Sequence, residues 1–240
     1  MTDAVARWGR PALGLVTPLL LVLAWDFSGA DRSLSAWLGG QAGFPLREAT
    51  SWASQAHALG RSLSALALGL LLLDALWPNP PWAHLRTARS PSMMSRCSVA
   101  ALTAATLVAV PALKRLSASS CPWDVVDFGG QVPWVSHWVW MVTDGGPGHC
   151  FPSGHAVAAF AFYIPALAAP GRSRRAKAIA AAAVTAAGAL FGTVQMLRGA
   201  HYLSHVLWSA WLCLAIAGAA AWRLDRPDLS LNAQPQRRTA

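Results

Sequence analysis

Residues 148 to 155 read Gly-His-Cys-Phe-Pro-Ser-Gly-His, and they stand where a wet, turn-prone stretch gives way to an apolar run. Pro152-Ser153-Gly154 has the composition of a turn that opens a helix. A helix opened in this way points unpaired backbone N–H groups and the positive end of its dipole outward, which makes a seat for an oxyanion such as phosphate. His155 stands beside that seat. The octapeptide alone also fits a purely structural role, a Ser N-cap followed by a histidine at a membrane surface. Its neighbours in the chain decide between the two.

The 240 residues are 55% apolar and only 12% charged, with 13 Trp, and the charges are sharply segregated along the chain. This is too greasy for a soluble domain of such length and reads as an all-α integral membrane bundle. The apolar segments are too short and too evenly spaced to divide into separate cores, so residues 1–240 form one domain, and no repeat at a solenoid period is present. Arg7 and Arg10 precede the first apolar run, Pro11 to Trp25. That run is read as a retained helix, with a cleaved signal ending at Ser28-Gly29-Ala30 as the alternative. Residues 27 to 60, with Trp37, Phe44, Trp52 and His57, suit a loop lying on the membrane surface. Further spans are expected at Ser62 to Trp77, Cys97 to Leu113, His155 to Ala169, Ala176 to Leu197 and Tyr202 to Trp222. Asp74, inside the second span, is placed near the far interface. Several of these runs fall short of the roughly 20 residues that a bilayer crossing needs and must borrow flanking residues. A basic tail, 223–240, is expected to fray.

Six spans alternate sides, so the arrangement can be checked against the basic residues. Arg7, Arg10, Arg86, Arg89, Arg96, Arg172, Arg174, Arg175, Lys177, Arg223, Arg226, Arg237 and Arg238 fall on one side, 13 of the 19. Arg32, Arg47, Arg61, Lys114, Arg115 and Arg198 fall on the other. The positive-inside rule makes the first side, with both termini, cytoplasmic. The net charge of +9 is therefore a topology signal with some attraction for anionic lipid, and it calls for no nucleic-acid partner.

This topology brings Lys114, Arg115, His149, Ser153, His155, Arg198, His201 and His205 to the same external face. Cations, histidines and a helix start at one depth make a site for a phosphoryl group. Metal chemistry is the rival, because His201 and His205 are four residues apart and share a helix face. Against it, no Glu follows His201, and Asp124, Asp127 and Asp144 have no metal-loop spacing. Two interfacial histidines satisfied by water and backbone are the third reading of that pair.

Lys114 followed seven positions later by Cys121-Pro122, then Pro152-Ser153-Gly154-His155, then Arg198-Gly199-Ala200-His201 with His205 four residues on, resembles the three-part signature of the type 2 phosphatidic-acid phosphatase superfamily. The resemblance covers roughly residues 98 to 222; the middle motif matches outright and the flanking two in part. It implies six helices and a metal-independent lipid phosphatase or phosphotransferase in which His201 attacks phosphorus, His155 protonates the leaving oxygen and His205 orients the nucleophile. Lys114, Arg115, Ser153, the Gly154 backbone and Arg198 would hold the phosphoryl oxygens, with no cofactor and no metal. The substrate would be a phosphorylated lipid, a phosphomonoester or diphosphate, met at the periplasmic face of a bacterial inner membrane. The chain departs from the family pattern at Cys121 and Gln195, where the family has Arg, and at His205, where it has Asp. Asp124 or Asp127 is a candidate to complete the nucleophile's pair, and a catalytically degenerate relative that binds phospholipid or a partner is the alternative function.

Four cysteines complete the reading. Cys97 and Cys213 fall at or within spans and suit small apolar packing. Cys121 and Cys150 both lie in the loop 116 to 152, on the side where a periplasm would be oxidising. Each also sits in or beside a motif of the family that the chain resembles, and the expectation is a disulfide that ties the first motif to the middle one. Two free thiols are the alternative.

Overall fold

A computed structural model describes residues 2–48, 52–82, 91–139 and 142–224, with side chains from residue 14 onward. The tail beyond Leu224, with Arg226, Arg237 and Arg238, and the linker residues Arg86 and Arg89 lie outside the described residues. Each long apolar run forms a helix. In order these are α1 (Thr2–Phe27), α2 (Ala30–Leu38), α3 (Trp52–Leu76), α4 (Met93–Leu113), α5 (Gly154–Phe160), α6 (Tyr163–Leu167), α7 (Arg174–Leu197) and α8 (Leu203–Leu224). Among the described residues there is no strand, only an isolated bridge between Val125 and Val132.

Four helices, α3, α4, α7 and α8, are long and apolar enough to cross a membrane, or five elements if the bent pair α1–α2 counts as one span. Their outward faces carry exposed leucines: Leu59, Leu63, Leu66, Leu70 and Leu73 of α3 recur at helical spacing. In water such a stripe would be a liability, whereas in lipid it is the expected coat. α3 begins at Trp52 and takes in His57, which the sequence reading had placed in a surface loop.

The expected first span turns through 71° after Phe27. Gly29, at φ 75, supplies the left-handed residue between α1 and α2. Asp31 of α2 then accepts the backbone N–H of Ser204 at 3.1 Å, so a carboxylate sits at the N-terminus of α8. The expected fourth span is broken. α5 and α6 together run from Gly154 to Leu167, too short by the length criterion for a lipid-exposed crossing. Eight of the fourteen residues of this segment are buried and the other six half-buried among α3, α4, α7 and α8, with Val157, Phe160 and Ile164 in the core, so its neighbours shield its backbone. Small residues let them approach: a Cβ on Gly188 would lie 2.0 Å from the Phe160 ring.

At the end remote from the octapeptide, Arg96 is buried and its Nη1 donates to the carbonyls of Asp74 and Trp77, which closes the C-terminus of α3. Asp74 accepts the Trp82 indole at 2.6 Å. At the other end, the loop between α4 and α5 folds into short 3-10 turns (Lys114–Leu116, Pro122–Asp124, Val126–Phe128). Buried Asp144 gathers the Ser120 N–H and hydroxyl and the Gly146 N–H, pinning two distant parts of this loop together.

Candidate active site

Ser153 caps α5: its hydroxyl accepts the Ala156 N–H, and its own N–H donates to the His205 carbonyl at 3.2 Å. The first-turn N–H groups of Gly154 and His155 have no intrahelical acceptor. Since α5 is only seven residues long, what it offers an anion is these two N–H groups and little macrodipole. α7 ends in a Schellman turn, in which the Gly199 N–H donates to Met196 and the Ala200 N–H to Gln195. Gly199 is at φ 73, and a Cβ there would meet the Phe44 ring at 2.2 Å, so the turn requires glycine on both counts. His201 follows in the turn before α8 and His205 in the first turn of α8, so the two do not share a helix face as the spacing suggests.

The structure thus brings Ser153, His155, His201 and His205 together from two parts of the chain, the start of α5 and the entry to α8. His201 is buried, and its ring centroid lies 6.5 Å from that of His155, so one small group could touch both. Burial holds the His201 imidazole well below its ordinary pKa, and the Lys114 charge and the neighbouring His205 and His155 add to the effect. His201 is accordingly neutral at pH 7, as a nitrogen nucleophile must be. Lys114 is partly buried at the end of α4, while Arg115 beside it is exposed and His149 is exposed.

His205 does not bond to His201. The two rings stand edge to face at 5.9 Å, and the His205 Nδ1 donates to the Cys150 carbonyl at 3.1 Å. The carboxylates weighed for this pair lie elsewhere; Asp127 pairs with exposed Arg32. Asp26, at the end of α1, comes instead to the His205 side. Its Oδ2 accepts the Trp208 indole at 2.7 Å, the Trp138 indole at 3.0 Å and the His137 Nε2 at 3.1 Å, and the His137 ring stands edge to face with His205. Sequence reading missed Asp26 and His137. Their only signal was an acidic residue ending an apolar run and a lone histidine in a Trp-rich loop.

His57 was missed as well. Its ring lies 3.8 Å from that of His155, and its Nδ1 accepts from the Gln195 Nε2 at 2.7 Å and from an Arg198 nitrogen at 3.2 Å. His57, His155 and Gln195 line a largely apolar cavity of about 200 Å³ between α3, α5 and α7.

Cys121 and Cys150 form a disulfide across 29 residues, with Cα atoms 5.1 Å apart. It anchors the segment after Lys114 to the octapeptide, and the Cys150 N–H donates to Ser119 at 3.1 Å beside it. Cys121, Cys150 and His201 bring ligand-type atoms within 4.8 Å of one another. Sulfurs joined to each other are not thiolates, so this donor set does not suit a metal.

A family model described as the PAP2 superfamily matches residues 95–228. No curated protein and no solved structure matches the chain. The matched region holds α4 to α8, the disulfide, Ser153 and the His155–His201 pair, while α1, α2 and α3 with Asp26 and His57 precede it. More than half of the chain is matched, with the motif histidines converging in one buried cluster, and on this ground the chain belongs to the PAP2 superfamily.

Proposed function

We propose that the chain is a metal-independent lipid phosphatase or phosphotransferase that works through a phosphohistidine on His201. PAP2 superfamily members are phosphatases acting on phosphate esters. The observation that carries the reading is the approach of a buried, neutral His201 to His155 beside the Ser153-Gly154 turn.

The chemistry balances with these groups alone. A ring nitrogen of neutral His201 attacks phosphorus and the bond to the lipid oxygen breaks, while His155, which takes up a proton once the anionic phosphate is bound beside it, gives that oxygen its proton. Water then attacks the phosphohistidine; His155, now neutral, takes the proton from the water, and phosphate leaves. Lys114, the Ser153 hydroxyl, the Gly154 N–H and Arg198 neutralise the phosphoryl oxygens. His205 supports the site through the Cys150 carbonyl, which lies beside His201.

The lipid class follows from the setting. The site lies at the end of helices with exposed leucine faces, where a phosphorylated head group would sit. Six crossings with both termini cytoplasmic fit the distribution of basic residues, α5–α6 being a short, buried crossing. A disulfide persists in an oxidising compartment, which supports an external site at the periplasmic face of a bacterial inner membrane. A second reading, a degenerate relative that binds phospholipid without turnover, draws on Cys121, Gln195 and His205 at positions where the family has Arg, Arg and Asp.

Purified wild type, His201→Ala and His155→Ala assayed for phosphate release from a panel of lipid phosphates separate the two. Both variants should fold in membranes and lose turnover; near-wild-type release by either removes the mechanism, and an inactive wild type favours the binding role.

A further inference from the structure

Gln195 stands where the family's third motif has an arginine, and the structure holds a substitute built partly from outside the matched region. The Gln195 side chain is buried, with its Nε2 donating to His57 and its Oε1 accepting from the Arg198 Nη1 at 3.2 Å. The same Nη1 donates to the His57 Nδ1 at 3.2 Å. Two donors converge on Nδ1, so that nitrogen is unprotonated and His57 is the neutral Nε2–H tautomer. Among the described residues only Nη1 of the guanidinium is hydrogen-bonded; the guanidinium carbon lies 5.9 Å from the Trp123 ring centroid, and its Nε is buried with no hydrogen-bond partner. A buried N–H of this kind is costly if it stays unmet, and an anion oxygen would meet it. The Nε and Nη2 edge is also the one that grips an oxyanion in two-point fashion.

We propose that His57 is a positioning residue of the phosphatase site: with Gln195 it clamps one corner of Arg198 so that the free guanidinium edge binds the phosphoryl group, replacing the family's arginine. The His57 ring lies 3.8 Å from that of His155, tilted by 40°, which places this clamp next to the general acid. The two-residue clamp fixes Arg198 where a lone arginine on a turn would sample several rotamers, and ordering such a side chain in advance lowers the cost of binding. The inference rests on the phosphoryl-binding reading above but not on turnover.

The probe is orthovanadate, with the full-length chain purified in detergent. Affinity is read from the rise in melting temperature with vanadate concentration, and separately as inhibition of phosphatidic-acid hydrolysis. His57→Ala and Arg198→Ala should each weaken vanadate binding about tenfold, as loss of one charge-assisted contact does. Because His57 acts through Arg198, the double variant should bind no more weakly than Arg198→Ala alone, within about twofold. His57→Asn carries an oxygen near the Nδ1 position and should recover most of the loss. Should His57→Ala fail to fold, His57→Gln replaces it, since its longer amide does not put an acceptor at Nδ1. Losses that add in the double variant, wild-type affinity in His57→Ala, or a wild type that binds no vanadate each overturn the clamp. A wild type that binds vanadate in this His57-dependent way yet releases no phosphate from any lipid overturns the catalytic reading and leaves the clamp standing.

Discussion

Replacing Cys121 and Cys150 together by alanine should leave a protein that still folds in membranes but inactivates at markedly lower temperature. The bridge closes 29 residues of chain. In the chain-entropy account, releasing a loop of that length returns about 12 cal/mol/K to the denatured ensemble, or about 3.6 kcal/mol at 25 °C. For a chain of this size that corresponds to a fall in melting temperature of about 7 to 14 °C. This is an upper bound, because helices that stay in the membrane restrict the denatured chain already. Local bonds retain part of the geometry: His149 to Ser117 at 2.8 Å, Cys150 to Ser119 at 3.1 Å, and Asp144 to Ser120 all join the two ends of the loop without the sulfurs. Activity at 25 °C should therefore fall less than tenfold, by the loosening of the Cys150 carbonyl that holds His205. The assay is thermal inactivation of purified wild type and double variant in detergent, with mass spectrometry of unreduced, alkylated wild type as control. A double variant that inactivates within about 1 °C of wild type refutes the stabilising role. Alkylating label on both cysteines of the wild type refutes the bridge itself.

Phosphate release should survive EDTA and be blocked by vanadate, because Lys and Arg neutralise the charge and vanadate imitates the five-coordinate phosphoryl group; loss in EDTA with rescue by zinc would point to metal chemistry at His201 and His205 instead. Depression of the His201 pKa has a definite sign: the unfolded chain takes up this proton near pH 6.5 and the folded chain only well below, so stability should be unaffected above that pH and fall as pH drops, by up to about 1.4 kcal/mol per unit. Denaturation followed between pH 7.5 and 5 in wild type and His201→Gln checks this, the variant losing that part of the slope. Gly188→Ala should lower the melting temperature through overpacking of about 1 to 3 kcal/mol, since the new methyl would meet the Phe160 ring, and an unchanged melting temperature would mean that α5 and α7 are not closely packed.

Much of the fold was legible because its signals are local. Apolar runs bounded by charges become helices wherever they occur, and the α7 and α8 boundaries lie within two residues of those expected. The motif around Ser153 and His155 was legible for the same reason: a turn, a cap and a histidine are fixed by adjacent residues. The Cys121–Cys150 pairing was legible from two cysteines in one loop, each in or beside a motif of the family that the chain resembles.

Which residues of other helices reach that motif was decided by tertiary packing. His57 is 138 residues from Gln195 in the chain, and no local signal pairs the two. What turns His57 inward is the register of α3 against α7, set where the Phe191 ring seats on Gly60, at 3.0 Å from the position a Cβ would take. Asp26 reaches His137 and Trp208 only because α1 lies along α8, with the Trp211 indole bonded to the Leu15 carbonyl. The break between α5 and α6 belongs to the same class, since a segment buried by its neighbours need not meet the length that lipid demands. Sequence determined which segments are helices and which groups could carry the chemistry, because propensity, capping and motif spacing act over a few residues. The structure decided which of those groups meet, because helix register depends on contacts between residues far apart in the chain.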